Sequence, residues 1–356
     1  MKMKMPTPIE SDFCKSLSGI TRILETPLYR VWGCAPIYGE DGRIHVYYSR
    51  WKHKYAKPIG WLISCELAHA VGDSPEGPFE FVDIALEGRG GEYWDSWSVH
   101  NPSVYKVGNK FVLLYMGTDG SKLGISKDEF LDQTQEDQDR MHMELVASQR
   151  VGMAISDSAN GPWKRVSDGR PMVDVGGLDE WDGVCTTNPG FVATPEGKYY
   201  LYYKGLDSAV IRNRRYGVAI SDNLEGPYKK YEGNPIIDFS CYGPAIQCED
   251  AYMWYEDGVY KSIMRGMGVF GNQEDGVYLI SSDGLKWSTD RPEVAFWKSV
   301  NYFPEEAEPL FRPLKGRFER PQILFNPETN KPDYLYCSLR GGVYNSASGA
   351  ILKINQ

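Results

Sequence analysis

The chain has 356 residues, of which 42% are hydrophobic, and its formal net charge is −9. All-β domains of this length are common, and no shift in composition marks a linker, so we expect one domain over residues 1–356. An acidic chain without a basic run is a poor partner for nucleic acid or for an anionic membrane. No apolar run reaches the about 18 residues of a membrane-spanning helix, so we expect no insertion into a membrane.

Residues 1–12 are polar, and we expect them to form a loosely ordered tail. Pro6, Pro8 and Glu10 stand where a secretory signal would have its apolar segment, so the sequence as written does not predict a signal. Two compartments stay open: the cytoplasm, or the periplasm or exterior if a signal was removed. The seven cysteines are odd in number and lack a C-x-x-C pair, which indicates neither a disulfide framework nor a zinc site.

Five copies of one strand–turn–strand unit follow one another along the chain. In each copy a polar tip leads into a short apolar strand, and a second strand of branched and aromatic residues follows the turn. The residues at the Pro position of the five copies are Pro36, Pro102, Pro189, Ala251 and Pro321. Four copies continue into a further strand, a Ser/Asp/Gly-rich turn and an aromatic residue, as in the segment 154–163. Four strands a unit predict an all-β fold, a five-bladed β-propeller with antiparallel blades around a central axis.

Two insertions and the chain ends depart from the repeat. The segment 128–144 is rich in Asp, Glu and Gln, and we expect a surface loop or short helix that walls one side of a site. The segment 305–317 is a similar insertion. The fifth copy lacks outer strands, which we expect 350–354 and 20–31 to supply, so that the two ends of the chain close the ring.

In a propeller the innermost strands start near the axis, so the five polar tips are expected to converge on one cavity. Because alternate strand residues face opposite ways, we expect one residue of each tip pair to face this cavity. The pairs are Cys34 and Ala35, His100 and Asn101, Thr187 and Asn188, Glu249 and Asp250, and Glu319 and Arg320. The cavity would thus hold carboxylates, amides, a His and an Arg.

Further candidates flank the tips. Asp95 and Asp182 occur in matching Trp-Asp contexts, where a structural Asp is an equally good interpretation. Arg50, Trp51, Lys204 and Arg265 follow second strands, and their cations are expected at the cavity unless they are solvated turn residues. Some of the 24 Tyr and 10 Trp are expected to line a groove, because sugar rings stack on aromatic faces. A nucleophilic Cys is disfavoured, since His100 is the one His at a tip.

Acids, amides and aromatics around one cavity suit cleavage of a glycosidic bond. One carboxylic acid protonates the leaving oxygen, and a second carboxylate activates water or attacks directly. Our hypothesis makes Glu249 the general acid and either Asp95 or Glu319 the base or charge stabiliser. The side chains that would bind sugar are His100, Asn101, Asn188, Asp182, Asp250, Arg320, Arg50, Trp51, Lys204 and Arg265.

The Asn-Pro tips, the Gly-Lys-Tyr-Tyr-Leu-Tyr-Tyr strand and the Ser-Asp-x-x-x-Gly-Pro-aromatic turn resemble the five-bladed propeller glycoside hydrolases of family 43 and its relatives in families 32, 62 and 117. The resemblance implies this fold and hydrolysis of plant or algal glycans. Family 43 has a base Asp, a modulating Asp and an acid Glu at the first three tips, where this chain has Ala35, Asn101 and Asn188. Glu319-Arg320-Pro321 is similar to the Glu-Arg-Pro of galactan-cleaving members.

The sequence therefore predicts an exo-acting glycoside hydrolase that removes a terminal sugar from an oligosaccharide or polysaccharide. Two alternatives stay open: a glycosidic phosphorylase, with Arg50, Lys204, Arg265 and Arg320 on phosphate, and a non-catalytic sugar-binding propeller. No cofactor is expected to be required. Several relatives hold calcium on the axis, so the resemblance leaves an axial calcium ion open, although no stretch has calcium-loop spacing.

Overall fold

The computed structural model describes residues 4–55, 59–166, 169–209, 211–304 and 316–355. Within them the strands form five separate antiparallel sheets of four strands each, so the predicted five-bladed β-propeller is confirmed. Among the described residues, no helix has the length and apolar character needed to cross a membrane.

Four blades are built from consecutive strands, with the first strand of each innermost. Blade one contains β2 (Tyr29–Tyr38), β3 (Ile44–Lys52), β4 (Glu66–Gly72) and β5 (Glu80–Leu86). Blade two contains β6 (Ser98–Val107), β7 (Lys110–Thr118), β8 (Arg150–Ser156) and β9 (Lys164–Arg165). Blade three contains β10 (Cys185–Ala193), β11 (Tyr199–Leu206), β12 (Arg214–Ser221) and β13 (Lys229–Lys230). Blade four contains β14 (Gln247–Glu256), β15 (Val259–Met267), β16 (Gly276–Ser281) and β17 (Glu293–Val294).

Blade five joins the two ends of the chain. Its strands, from the inside outward, are β18 (Glu319–Phe325), β19 (Pro332–Gly341), β20 (Ser346–Ile354) and β1 (Leu17–Ile23). β1 pairs antiparallel with β20, with Leu17 opposite Ile354. The expected closure of the ring by the two chain ends is thus confirmed. The predicted segment 20–31 is not one strand, because its start belongs to β1 and its end to β2. Closure covers strand edges that would otherwise be free to pair with another chain.

Apolar side chains fill the spaces between neighbouring blades. Between blades three and four, for example, Tyr202 packs with Met253 and Met264, and none of the three has more than a trace of exposed surface. Each such side chain stabilises the fold by roughly 1.5–3 kcal/mol. Residues that tolerate positive φ form the hairpin turns. In the turn between β14 and β15, Asp257 and Gly258 have φ values of 52° and 82°, as a tight turn between twisted strands requires.

The polar insertion, which lies between β7 and β8 of blade two, forms helices, within the expectation of a loop or short helix. The α-helices of the described residues are α1 (Asp12–Lys15), α2 (Gly60–Ile63), α3 (Lys127–Asp132) and α4 (Gln135–Ala147). Ser126 and Glu129 form a reciprocal capping box at the start of α3, and Thr134 caps α4. Phe130 and Leu145 are buried with Trp97, which fixes the helices on the propeller.

The amino-terminal tail is shorter than predicted. The Val294 amide donates to the Ile9 carbonyl at 2.8 Å, and the Ser11 amide donates to the Val294 carbonyl at 3.2 Å. Residues from Ile9 onward are therefore attached to blade four rather than loose. Most of the second predicted insertion, residues 305–315, lies outside the described residues.

Every innermost strand carries a β-bulge at the same point, and one residue there has positive φ. These residues are Gly33 (61°), Asn101 (53°), Asn188 (46°), Asp250 (63°) and Arg320 (52°). A bulge breaks the alternation of side chains and re-aims them. As a result, His100 and Asn101 both line the axial cavity, as do Glu249 and Asp250, so the expectation of one residue per pair was wrong in blades two and four. It holds in blades three and five, where Asn188 and Glu319 line the cavity and Thr187 and Arg320 do not.

The bulge also corrects the alignment of blade one. Trp32 lies opposite Ser49, and after the bulge Ala35 lies opposite Tyr47. The pair equivalent to His100 and Asn101 is therefore Trp32 and Gly33, not Cys34 and Ala35. Cys34 and Ala35 are fully buried in the core.

Candidate active site

The strand tips surround one cavity of about 860 Å³ on the propeller axis. Trp32, Trp51 and Trp61 line it on the side of blade one, and His142 and Met143 of α4 line it on another side. The predicted aromatic lining and the predicted wall from the polar insertion are both present. The cavity therefore offers apolar faces and polar groups to the same ligand.

Three carboxylates meet in this cavity. Glu249 and Asp250 come from β14 and Glu319 from β18, and one oxygen of each lies within 4.8 Å of the others. Solvent reaches 13% of the Glu249 side chain and 12% of the Glu319 side chain but only 3% of the Asp250 side chain. Glu249 and Glu319 are thus the carboxylates that a ligand can contact most easily.

Three cations hold Glu249 in its ionised form. The distance from Glu249 Oε2 is 3.2 Å to Lys204 Nζ and 2.9 Å to Arg214 Nε, and Arg265 contacts Oε1. Burial opposes ionisation, but the charges of Lys204, Arg265 and Arg214 outweigh it and hold the pKa of Glu249 well below its usual value. The surroundings of Glu249 therefore favour its ionised form.

Glu319 has the opposite tendency. Burial raises the pKa of Glu319; Arg265 and Arg317 oppose this rise, and the neighbouring Asp250 and Glu249 carboxylates reinforce it. Arg317 contacts Glu319 Oε1, and Arg265 Nη1 lies 3.5 Å from the same oxygen. The cluster therefore holds a proton on Glu319 more readily than on Glu249.

His100 is a neutral side chain at the cavity wall. Burial, together with the charge of Arg320, lowers the pKa of His100 to about 3. Its Nδ1 lies 3.0 Å from the Sγ of Cys65, and burial raises the pKa of that thiol well above its ordinary value. Which of the two groups donates depends on the tautomer of the imidazole, and the thiol also donates to the Glu66 carbonyl at 3.7 Å. Cys65 is therefore a partner of His100 and not a nucleophile, in line with the low expectation for a Cys mechanism.

A hydrogen-bonded layer closes the cavity at its base. Asn188 Nδ2 donates to Asp250 Oδ1 at 2.5 Å, and Asn101 Nδ2 donates to Asn188 Oδ1 at 3.5 Å. Arg320 Nη2 donates to the Asn101 carbonyl and to Ser103 Oγ, at 3.3 and 3.1 Å. Arg320 is fully buried and does not line the cavity, so its predicted contact with a sugar was wrong. Its guanidinium joins blades two and five beneath the site.

Asp95, predicted as a base, lies away from the cavity. Its carboxylate is fully buried, with Oδ1 2.6 Å from Arg89 Nε and Oδ2 3.0 Å from both Arg165 Nε and Tyr115 Oη. Arg165 belongs to β9, so the contact holds the outermost strand of blade two against its second strand. Asp95 is a structural residue.

Asp182 repeats this arrangement in blade three. Its Oδ2 accepts hydrogen bonds from Tyr203 Oη at 3.0 Å and from Lys230 Nζ at 2.6 Å, and Lys230 belongs to the outermost strand β13. Asp182 is fully buried and does not line the cavity. The matching Trp-Asp motifs therefore mark a repeated structural contact, and the prediction that Asp182 binds sugar was wrong.

Arg50 also lies outside the cavity. Its Nε is 2.7 Å from Glu66 Oε1, and its guanidinium lies over the Tyr29 and Phe81 rings. Strand register explains the error, because Ser49 of β3 occupies the place that Lys204 and Arg265 have in blades three and four. A shift of one residue along a strand moves a side chain to the other face.

The structure brings nine predicted residues to the cavity: His100, Asn101, Asn188, Glu249, Asp250, Glu319, Lys204, Arg265 and Trp51. Sequence reasoning missed five cations that also line it among the described residues: Arg30, Arg212, Arg214, Arg317 and Arg340. Two signals were available. Arg317 precedes Glu319 by two residues, and Arg340 lies on the second strand of blade five, two residues beyond Ser338, which is the counterpart of Lys204 in blade three.

The three carboxylates do not form a good calcium site. Calcium takes 6–8 oxygen ligands and is favoured by uncompensated negative charge. Here the oxygens of Glu249 already contact Lys204, Arg214 and Arg265, and those of Glu319 contact Arg317. A divalent cation would be placed beside four positive charges, so the residues present do not fit the axial calcium that the sequence resemblance left open.

Known proteins are similar to this five-bladed propeller, whose axial cavity combines carboxylates with aromatic side chains. The chain is 30% identical over 147 residues to xylosidase/arabinosidase 43A of Humicola insolens, which covers 39% of this chain and 40% of the relative. It is 26% identical over 272 residues to an extracellular endo-α-(1→5)-L-arabinanase of Thermotoga petrophila, covering 72% of this chain and 49% of the relative. These matches thus span less than half of each curated relative. No protein-family model matches the chain.

Solved structures share the fold. The family 117 glycoside hydrolase Zg3597 of Zobellia galactanivorans superposes with a TM-score of 0.62 at 15% identity, over 99% of this chain and 89% of that one. A family 43 β-xylosidase/α-arabinofuranosidase from a compost metagenome, in a calcium-free form with xylotriose, gives a TM-score of 0.59 at 15% identity, over 95% and 94%. The resemblance to five-bladed propeller glycoside hydrolases of the family 43 and 117 type is confirmed.

Proposed function

We propose that this protein is an exo-acting glycoside hydrolase that removes a terminal sugar from a plant or algal oligosaccharide or polysaccharide. The observation that carries the proposal is the meeting of Glu249, Asp250 and Glu319 within 4.8 Å in one cavity. The layer of Asn101, Asn188 and Arg320 closes that cavity below, which suits the end of a glycan better than its middle. The names of the two curated relatives make arabinose- and xylose-containing glycans the first substrates to try.

The surroundings of the carboxylates favour a different division of roles from the one that the sequence suggested. A general acid must hold its proton at the working pH, and burial beside Asp250 and Glu249 favours the proton on Glu319. Glu249 is kept charged by three cations, which suits a base, a nucleophile or a stabiliser of positive charge at the sugar ring. We therefore assign Glu319 as the acid and Glu249 as the ionised partner, in place of Glu249 as the acid.

The remaining cavity residues would position the sugar. Trp51 offers an aromatic face for its apolar side. His100 offers its Nε2 atom, and the amides of Asn101 and Asn188 offer donors and acceptors to the hydroxyls of the sugar. Asp250 is bound by Asn188 and by the Arg320 amide, so it would act chiefly through its charge on Glu319.

The test is a screen of the purified chain against plant and algal oligosaccharides, with products and their anomers followed by NMR. We expect release of single sugars from one end, and a loss of about 10²–10⁴-fold or more in Glu249→Gln and in Glu319→Gln. Glu256→Gln is the matched control, because Glu256 is an equally buried, Lys-paired glutamate of β14 outside the cavity. Normal turnover in both cavity variants would refute the proposal, and sugar binding without any turnover would favour the non-catalytic alternative.

The cationic lining supports a second candidate, a glycosidic phosphorylase. Of the four cations predicted to bind phosphate, only Lys204 and Arg265 line the cavity, and both contact Glu249. This arrangement leaves them less free for phosphate than the sequence suggested. Formation of sugar phosphate only when inorganic phosphate is supplied would decide for this candidate and against the hydrolase.

A further inference from the structure

The axial cavity is positively charged although the chain is acidic. Among the residues that the structure describes, seven Arg or Lys side chains line it, against three carboxylates, in a protein with a formal net charge of −9. Lys204, Arg214, Arg265 and Arg317 neutralise Glu249 and Glu319. The excess positive charge therefore comes from other side chains, and two of these, Arg30 and Arg340, lie on neighbouring blades.

Arg30 and Arg340 face the cavity where blade one meets blade five. Arg30 lies on β2 opposite Trp51, and Arg340 lies on β19 opposite Ala347. The Arg340 guanidinium is 6.0 Å from the centre of the Trp32 ring. Neither side chain contacts a carboxylate among the described residues, in contrast to the four cations around Glu249 and Glu319.

Arg30 is half-buried and Arg340 is exposed, and their two positive charges face the same cavity without a carboxylate partner among the described residues. Arg30 Nε is buried without a hydrogen-bond partner in the described part of the chain. Burial lowers the pKa of Arg30, and the charge of Arg340 lowers it further, so the arrangement disfavours the charge on Arg30. An anion beside Arg30 and Arg340 would supply the acceptor that Arg30 Nε lacks and would offset the repulsion, and a planar guanidinium binds carboxylate or sulfate oxygens in pairs.

We propose that Arg30 and Arg340 bind an anionic substituent of the substrate, a carboxylate or sulfate group carried by the glycan. The proposal rests on the proposed function, since it names the class of glycan that the same cavity accepts. Trp32 and Trp51 flank the two arginines, so the ring that carries the anion would stack on an aromatic face. The substrate would be an acidic sugar such as a uronate or a sulfated residue, rather than a neutral pentose alone.

The experiment measures equilibrium binding by calorimetry at low ionic strength, using matched pairs of glycans. One pair is an oligogalacturonide and its fully methyl-esterified form, and the other is a κ-carrageenan tetrasaccharide and a neutral agar tetrasaccharide. We expect a charged member to bind about tenfold or more tightly than its neutral match, as a charge-assisted contact requires. This preference should disappear in Arg30→Gln and Arg340→Gln. It should be partly kept in Arg30→Lys, which retains the charge but not the two-pronged geometry.

Arg43→Gln is the control, because Arg43 pairs with Asp73 on the outer surface and its loss changes the net charge equally. The thermal midpoint of each variant reports whether it is folded. Equal binding of charged and neutral members, no binding of any charged member, or a preference that survives in Arg30→Gln and Arg340→Gln would each overturn the proposal. So would binding of inorganic phosphate in their place, since the anion would then be free phosphate.

The two proposals fail in different ways. Binding needs no turnover, so selective binding of an acidic glycan without cleavage would support the arginine subsite and refute the hydrolase. Cleavage of neutral glycans with no preference for charge would support the hydrolase and refute the subsite.

Discussion

Glu249 and Glu319 stand on the innermost strands of neighbouring blades and share one guanidinium, that of Arg265. Their other partners differ: Lys204 and Arg214 contact only Glu249, and Arg317 contacts only Glu319. Two carboxylates this close cannot both ionise freely, and the uneven distribution of cations decides which of them keeps a proton. The surroundings thus favour Glu319 as the acid and Glu249 as its ionised partner.

The dependence of kcat/KM on pH should report this division. The reaction needs Glu249 ionised, and its pKa is depressed, so activity should be lost only at pH well below the ordinary glutamate range. It also needs Glu319 protonated, and its pKa is raised, so activity should be lost as pH rises through that value. The measurement is kcat/KM from about pH 3 to about pH 9. A profile that falls on the acid side near the ordinary pKa of Glu, with no alkaline fall, would contradict the assignment.

Replacing Arg265 should move both limbs of this profile in one direction. The charge of Arg265 lowers the pKa of Glu249 and of Glu319, so Arg265→Gln should shift both limbs to higher pH. Arg265→Lys keeps the charge and should shift them less. The same pH series on both variants provides the comparison, with thermal midpoints as a check on folding. Limbs that stay in place in Arg265→Gln would show that this cation does not tune the pair.

Asp95 should matter for stability and not for turnover. Removing one partner of a buried ion pair costs about 3–5 kcal/mol, and Asp95 contacts two arginines of which 13% and 16% is exposed. Asp182 contacts one lysine that is 33% exposed, so Asp182→Asn should cost less than Asp95→Asn. Urea unfolding measures both costs, and kcat/KM of the folded variants should equal that of the wild type. A large loss of kcat/KM with unchanged stability would contradict the structural role and indicate that Asp95 takes part in catalysis.

His100 should make the fold sensitive to acid. Its pKa falls from 6.5 to about 3 on burial, so below pH 6.5 the unfolded chain binds a proton that the folded chain does not. Stability should therefore decrease as pH falls through this window, by up to about 1.4 kcal/mol for each pH unit. In His100→Gln this part of the slope should vanish. Urea midpoints at several pH values test it, and parallel slopes for the two proteins would be evidence against a buried neutral His100.

Much of the fold could be predicted because each copy of the repeat has short sequence patterns that identify its strands and turns. Alternating strands and Gly-containing turns are visible in one sequence, and so was closure by the two chain ends. The strand register of blade one could not be predicted, because Pro36 looked like the counterpart of Pro102. The physical marker is the positive-φ bulge residue instead, and Gly33 shares it with Asn101 and Asp250.

The candidate site was predictable only in part, because the role of each residue depends on its contacts with strands that are distant in the sequence. The carboxylates Glu249 and Glu319 were found from the repeat. The Trp-Asp motif at Asp95 resembled a site motif, and only the placement of Arg165 on β9 reveals its structural role. The unpaired state of Arg30 likewise could not be read from the sequence, since it depends on which carboxylates the fold brings near.

The most direct test of the central claim compares two leaving groups. A glycoside with a poor leaving group needs protonation by Glu319, whereas a dinitrophenyl glycoside does not, because its leaving group departs as a stable anion. Glu249 is needed in both cases. The measurement is kcat/KM of the wild type, Glu319→Gln and Glu249→Gln on a natural oligosaccharide and on the dinitrophenyl glycoside of its terminal sugar.

We predict that Glu319→Gln loses about 10²–10⁴-fold on the oligosaccharide but keeps most of its activity on the dinitrophenyl glycoside, while Glu249→Gln loses activity on both. The reverse pattern, with Glu249→Gln recovered by the good leaving group and Glu319→Gln inactive on both substrates, would contradict the account.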